Sequence, residues 1–149
     1  MSKVEASIAI AAPPEAVWAI VMDPARLGDW VTIHRRLGHA DPAPLSRGST
    51  LEQTLELRGA RFKVKWTVAE ATPSKLAVWE GVGPAQSRAR TAYMLAPDGD
   101  GGTRFDYEND FTAPLGPLGA ATARLLVGGL SEREAKATLR RLKALLENG

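Results

Sequence analysis

Residues 51–68 alternate apolar and polar side chains on either side of a glycine, and this pattern constrains the fold more than any other in the chain. A two-residue turn at Gly59 and Ala60, with glycine in the first central position as a type II′ turn requires, predicts a β-hairpin. A slip of one residue would expose the whole apolar set, so the pattern determines which face is buried. The predicted pairs are Leu57 with Phe62, Leu55 with Val64, Gln53 with Trp66 and Leu51 with Val68 on the apolar face, and Glu56 with Lys63 and Thr54 with Lys65 on the other.

Residues 103–111 show the same alternation in a second strand. The residues expected to face inward are Phe105, Tyr107, Asn109 and Phe111, and those expected to face outward are Arg104, Asp106, Glu108 and Asp110. Together with the hairpin, this strand predicts a curved antiparallel sheet whose outer face is wet and whose inner face carries aromatic rings with a few polar groups. Such a sheet is suited to wrap around a helix with a pocket between them.

The remaining elements follow from local signals. Residues 3–12 predict a strand, residues 13–22 and 24–30 two short helices that each begin with proline, and residues 75–82 and 86–95 two further strands. Residues 34–48 are the least regular stretch and fit either a lid or a plain connector.

A helix of about thirty residues is predicted at the C-terminal end of the chain. From Leu118 to Leu146, apolar residues recur at steps of three and four, with Glu132 as an exception on the stripe. Gly128 and Gly129 weaken the helix, and Ser131 lies three residues before Glu134 as in a capping box, so the helix is expected to kink or restart there. Small residues in the middle of the stripe leave room for a ligand cavity or indicate close packing on the sheet.

Size and composition indicate one soluble globular domain spanning residues 1–149. The net charge is only +2, without a basic run, which argues against nucleic-acid binding. The chain has no cysteine, so disulfides, thiol chemistry and Cys-zinc sites are excluded. The apolar segment at residues 8–12 is too short for a signal sequence and no window is long enough to span a membrane, so we expect a cytoplasmic location without membrane insertion.

Several stretches together resemble one known superfamily. They are the sequences at residues 11–18 (AAPPEAVW), 23–30 (DPARLGDW), 102–105 (GTRF) and 139–143 (LRRLK), with the strand pair that ends near Trp66. With the element order, they are similar to the bacterial polyketide cyclase/dehydrase-type group of the START-like (SRPBCC) superfamily. The resemblance implies an α+β helix-grip fold, in which a seven-stranded antiparallel sheet wraps around a long C-terminal helix and a hydrophobic cavity. Six strands are apparent, so residues 31–36 or the stretch after His39 are expected to contain the seventh.

Conventional catalytic signatures are absent from the sequence. His34 and His39 lack the acidic or cysteine partners of a metal motif, and no nucleophile elbow, phosphate loop or dinucleotide fingerprint occurs. We therefore expect neither a metal site nor a bound cofactor.

The candidate site consists of isolated side chains expected to face the cavity. The candidate ligand-binding residues are Trp30, Gln53, Trp66, Tyr93, Tyr107 and Asn109. The polar groups of Tyr107 and Asn109 either bind a ligand or satisfy each other. Glu80 is an acid/base candidate if its side of strand 75–82 faces inward and a surface residue if Trp79 does. His34 is either a proton-exchanging group at the cavity mouth or a surface loop residue.

These observations favour binding of a small, mainly hydrophobic molecule, lipid or polyketide-like. The alternative is a cyclase, aromatase or dehydratase that uses acid/base groups in the same cavity, which requires two proton-transfer groups to converge there. A protein-interaction surface on the charged face of the helix is a weaker third hypothesis. The sequence leaves a homodimer open.

Overall fold

The computed structural model describes residues 2–112 and 131–148. The strands are β1 (Ser2–Ile10), β2 (His34–Ala40), β3 (Thr50–Leu57), β4 (Ala60–Thr72), β5 (Leu76–Val82), β6 (Arg88–Asp98) and β7 (Gly102–Thr112). The helices are α1 (Pro14–Val21), α2 (Leu27–Trp30), preceded by a 3-10 turn at Pro24–Arg26, and α3 (Glu132–Asn148). A second 3-10 turn, Pro84–Gln86, links β5 and β6.

The seven strands of the described chain form a single antiparallel sheet in the order β1-β7-β6-β5-β4-β3-β2. The inner face carries the apolar residues of the alternating strands, and α3 packs against β1 and α2. This confirms the expected α+β architecture, with a curved sheet, a C-terminal helix and short helices after the first strand. The faces predicted for residues 51–68 and 103–111 are also correct.

The register of the central hairpin differs by two residues from the prediction. The turn lies at Arg58 and Gly59, so Leu57 pairs with Ala60, and Gln53 pairs with Val64 instead of Trp66. Both turn residues have positive φ, 50° and 80°, which is the type I′ geometry that matches the twist of paired strands. A shift of two residues keeps every side chain on its predicted face.

The seventh strand is β2, which overlaps residues 31–36, one of the two places expected to contain it, and lies within the least regular stretch, residues 34–48. Its pairing with β3 is interrupted twice, between His34 and Arg36 and between Leu37 and Ala40. Each bulge inserts a residue and breaks the alternation of buried and exposed side chains. The strand therefore carries no period-two signal in the sequence.

The described part of α3 begins as predicted after Ser131, whose Oγ accepts a hydrogen bond from Glu134 N at 3.1 Å. Ala135, Leu139 and Leu142 are buried as the stripe predicted. Glu132, the exception on that stripe, is exposed and forms an ion pair with Lys136. The predicted stripe from Leu118 and the kink at Gly128 and Gly129 lie outside the described residues.

Candidate functional site

A cavity of about 30 Å³ lies between the inner face of the sheet and the segment that contains α2. It is lined by Leu27, Val31, Ile33, Gln53, Leu55, Trp66, Trp79, Thr91, Tyr93, Tyr107 and Asn109. This volume is enough for one or two water molecules and too small for an organic ligand.

Aromatic rings form a continuous wall on one side of the cavity. The ring centroids of Trp66 and Trp79 are 6.0 Å apart, and those of Trp79 and Tyr93 are 5.6 Å apart, both edge-on. Tyr93 stacks on Tyr107 at 6.0 Å and meets Trp30 edge-on at 5.7 Å. Edge-on and offset contacts at these distances are the favoured arrangements of aromatic rings.

Gly81 provides the space for the ring of Trp66. A Cβ atom at Gly81 would lie 2.7 Å from Cε3 of Trp66 and 2.6 Å from Cγ1 of Val64. Any larger residue at this position of β5 must therefore displace the indole that forms the cavity wall.

One group of polar side chains on the wall is centred on Asn109. Its Nδ2 donates hydrogen bonds to Oγ1 of Thr91 and to the hydroxyl of Tyr107, both at 3.0 Å. The pairing of β6 with β7 explains the first bond, because Thr91 and Asn109 are directly opposite each other. Asn109 and Tyr107 thus satisfy each other in part, as one of the two hypotheses expected.

A second polar group connects β2, β3 and β4. The indole Nε1 of Trp66 donates to Oε1 of Gln53 at 2.9 Å, and Nε2 of Gln53 lies 3.0 Å from Nδ1 of His34. His34 is half-buried; burial, together with the positive charge of Arg35, lowers its pKa. The neutral imidazole is therefore favoured in the folded protein.

The titratable groups on the described lining are the two tyrosines. Burial raises the pKa of Tyr93 well above its ordinary value and raises the pKa of Tyr107 to about 12. Both hydroxyls therefore remain protonated near neutral pH and act as neutral hydrogen-bonding groups. The described lining contains no carboxylate and no cationic side chain.

Comparison with known proteins identifies the family. Residues 1–147 match the family described as polyketide cyclase / dehydrase and lipid transport. The chain belongs to this family. A Mycobacterium tuberculosis protein named Toxin Rv0910 is 29% identical over 133 residues, which cover 89% of this chain and 92% of that protein.

Solved structures support the START-like fold of this family member. A START superfamily protein from Mycobacterium smegmatis is 17% identical, covers 99% of both chains and gives a TM-score of 0.75. The Zhui aromatase/cyclase from Streptomyces sp. R1128 is 16% identical, covers 98% of this chain and 93% of that one, and also gives a TM-score of 0.75. The resemblance stated from the sequence is thereby confirmed.

In this polyketide cyclase family member, the structure brings together most of the candidate residues. Gln53, Trp66, Tyr93, Tyr107 and Asn109 line the cavity. Trp30 is fully buried but is not on the described lining; its ring packs edge-on against the lining residue Tyr93 and against Phe105. His34 is not among the described lining residues, and its imidazole contacts one of them, Gln53.

Glu80 does not face the cavity. Its side chain is exposed on the outer face of β5, opposite Arg90, whereas Trp79 is 2% exposed and faces inward. The hypothesis that placed Glu80 as a carboxylate inside the cavity is wrong. Alternation along β5 permits only one of two neighbouring side chains on the inner face, and the bulky indole occupies it.

The candidate list omitted Thr91 and left Trp79 undecided, although both line the cavity. The role of Thr91 appears only when β6 is aligned with β7, which places it opposite Asn109. The charged residues Arg88 and Arg90, which are exposed and alternate with the inner face of β6, are the sequence signal that Thr91 faces inward.

Within the described residues, no three His, Asp or Glu side chains gather to hold a metal ion, and no helix is long and apolar enough to cross a bilayer.

Proposed function

We propose that this protein binds a small, mainly hydrophobic molecule in the cavity between the sheet and the segment that contains α2. One observation carries the proposal. The same inner wall holds three contacts between aromatic rings and, beside them, the polar atoms of Gln53, Thr91 and Asn109. Binding sites for small molecules typically have such apolar walls with a few placed polar groups. Membership in a family described by lipid transport and polyketide chemistry is consistent with this chemistry.

A ligand must separate side chains that contact each other in the structure, because the cavity measures about 30 Å³. Each Å² of apolar surface removed from water contributes about 25 cal/mol, which offsets the cost of parting the rings. We therefore expect binding to show a negative heat-capacity change, as burial of apolar surface does.

The described lining supports binding more than acid–base catalysis. An enzyme of the cyclase or dehydratase type needs groups that exchange protons near neutral pH. The raised pKa values of Tyr93 and Tyr107 make both hydroxyls poor proton donors, and Glu80 lies on the outer face of the sheet. The imidazole of His34 is not on the described lining and is hydrogen-bonded to Gln53, which is.

The proposal is tested by isothermal titration with naphthalene, a rigid apolar probe. Wild-type protein should bind it, and Leu55→Phe should weaken binding at least about tenfold by filling the cavity. Leu57→Phe is the matched control, because Leu57 lies on the same face of the same strand but outside the lining. Native mass spectrometry of protein purified from its own host, followed by extraction, would identify a resident ligand.

Two results would contradict the proposal. One is a wild-type protein that carries no ligand from its host and binds neither naphthalene nor any other small apolar probe. The other is equal loss of binding in Leu55→Phe and Leu57→Phe, which would place the binding surface elsewhere.

A further inference from the structure

Two buried polar atoms on the cavity lining lack a hydrogen-bond partner among residues 2–112 and 131–148. They are Nε1 of Trp79 and Oδ1 of Asn109, and the two residues are 2% and 5% exposed. A buried polar atom without a partner is unfavourable, so such atoms in a folded protein require an explanation. The two other atoms of this kind, on Trp30 and Asp110, belong to residues outside the lining.

The sheet places these two side chains on either side of Thr91. Trp79 pairs with Thr91 across β5 and β6, and Thr91 pairs with Asn109 across β6 and β7. Neighbouring strands are about 4.8 Å apart, so the Cα atoms of Trp79 and Asn109 are separated by about 10 Å on one face. An oxygen atom that is hydrogen-bonded to both side chains bridges a gap of about 6 Å between their two polar atoms. The long indole and the shorter amide can together cover the remaining distance between the Cα atoms.

The chemistry of the two side chains determines which group fits between them. An indole N–H only donates a hydrogen bond. The Asn109 amide nitrogen already donates to Thr91 and Tyr107, so the free atom of that amide is the accepting oxygen. The missing group must therefore accept one hydrogen bond and donate another.

A hydroxyl meets both requirements. An ether or ketone oxygen can accept from Trp79 but has no proton for Asn109. A carboxylate also lacks the proton, and its charge would be buried without a cationic side chain on the described lining, which is strongly unfavourable.

We propose that Trp79 and Asn109 form a subsite for a neutral hydroxyl, so that the preferred ligands are apolar alcohols or phenols rather than hydrocarbons, ethers, ketones or carboxylates. This inference rests on the proposed function and specifies the chemical class of the ligand. The cavity volume of about 30 Å³ is also sufficient for one water molecule.

The test compares probes of one shape in isothermal titrations of the wild-type protein. The probes are 2-naphthol, naphthalene, 2-methoxynaphthalene, 2-acetylnaphthalene and 2-naphthoate. We expect 2-naphthol to bind about tenfold more tightly than the methyl ether, as expected when an acceptor is left unpaired. The carboxylate should bind most weakly.

Two variants separate the roles of the two atoms. Asn109→Leu removes the acceptor at similar volume, so the preference for 2-naphthol over its methyl ether should fall from about tenfold to near onefold. Trp79→Phe removes the donor together with part of the buried ring, and both losses affect the two probes alike, so both should weaken while their ratio persists. Trp18→Phe, which removes a buried indole outside the lining, should change neither affinity nor ratio.

The outcomes distinguish this inference from the proposed function. If naphthalene, 2-naphthol and the ether bind wild-type protein equally, the hydroxyl subsite is wrong while the hydrophobic cavity stands. Tighter binding of 2-acetylnaphthalene than of 2-naphthol would also overturn it, because a carbonyl would then be the preferred group. If no probe binds, both proposals fail. The wild-type comparison needs no variant to fold.

Discussion

At the scale of single residues, the hydrogen bonds around Gln53 determine the protonation state of His34. The indole of Trp66 can only donate, so Gln53 Oε1 is the acceptor. Gln53 Nε2 must then donate to Nδ1 of His34, which leaves the imidazole proton on Nε2. Protonation of Nδ1 would set two donors against each other.

This arrangement predicts how stability depends on pH. Because the pKa of His34 is lowered in the folded state, the unfolded chain binds a proton more readily below about pH 6.5. The free energy of unfolding should therefore fall with decreasing pH in that range, and should fall less in His34→Gln. Denaturant titrations between pH 5 and pH 8, about the range in which histidine titrates, measure the difference.

A one-atom variant provides the control for this prediction. Gln53→Glu places a carboxylate against Nδ1, which should raise the pKa of His34 and reverse the sign of the effect. ¹⁵N NMR of the imidazole should show the Nε2–H tautomer in wild-type protein. A protonated Nδ1 in the wild type at neutral pH would contradict the assignment.

At the scale of elements, the Arg58–Gly59 turn sets the register of β3 and β4. Gly59 has φ of 80° and a side chain there would meet no neighbouring atom, so the cost of a substitution is conformational. Gly59→Ala should lower the free energy of unfolding by about 1–2 kcal/mol. Thermal or denaturant unfolding measures the change.

The control for the turn is Gly38→Ala. At Gly38 a side chain would meet neighbouring atoms, whereas the backbone does not have the positive φ found at Gly59. A Cβ at Gly38 would lie 2.9 Å from Oε1 of Glu52, the end of a flexible side chain that can move aside. It would also lie 3.3 Å from Cβ and 3.4 Å from the backbone oxygen of Glu52, which a small shift of the edge strand β2 relieves. We expect that variant to cost less than Gly59→Ala. The opposite order would show that the turn tolerates a different geometry.

The elements differ in how far the sequence could predict them. Alternation determined the faces of β3, β4 and β7, because a half-buried strand needs period two. It could not determine the register, because Gly59 fits either of two turns. It missed β2 because two bulges remove the period. In β5 both alternating sets contain bulky apolar residues, so only the structure decides between Trp79 and Glu80.

At the scale of the whole molecule, side chains of α3 bind the backbone of distant segments. Oγ1 of Thr138 accepts from Thr32 N at 3.1 Å, beside the contact of the Thr32 hydroxyl with Glu134. At the other end of the helix, Lys143 donates to Ala9 O at 2.8 Å. The helix is thereby attached near both edges of the sheet: to the segment before β2 and to the end of β1.

Thr138→Val tests the first attachment, because valine keeps the shape and removes the acceptor. Thr138 is 1% exposed, so Thr32 N would lose a buried partner and the free energy of unfolding should fall by about 1–3 kcal/mol. Thr67→Val, on the exposed outer face of β4, should change it by no more than about 0.5 kcal/mol. Equal effects of the two variants would contradict this account of α3.

The size of the cavity could not be predicted from the sequence. The sequence indicated aromatic residues with polar groups on one face, but the volume depends on how the rings of Trp66, Trp79 and Tyr93 pack, and therefore on rotamers. Close packing leaves few voids larger than a water molecule in most cores. The polar residues Thr91 and Asn109 are the part of this wall that distinguishes it from an ordinary apolar core.

The aromatic wall also has an optical consequence. Trp66, Trp79, Tyr93 and Tyr107 follow one another in that order, and Trp30 contacts Tyr93 from the side, all at centroid distances of 5.6–6.0 Å. Excitation energy absorbed by one ring therefore passes readily to the next. Fixed, asymmetric packing of such chromophores produces a strong near-ultraviolet circular dichroism signal. A molecule that parts the rings must change that signal and the fluorescence spectrum, so the protein reports the occupancy of its own interior without an added dye.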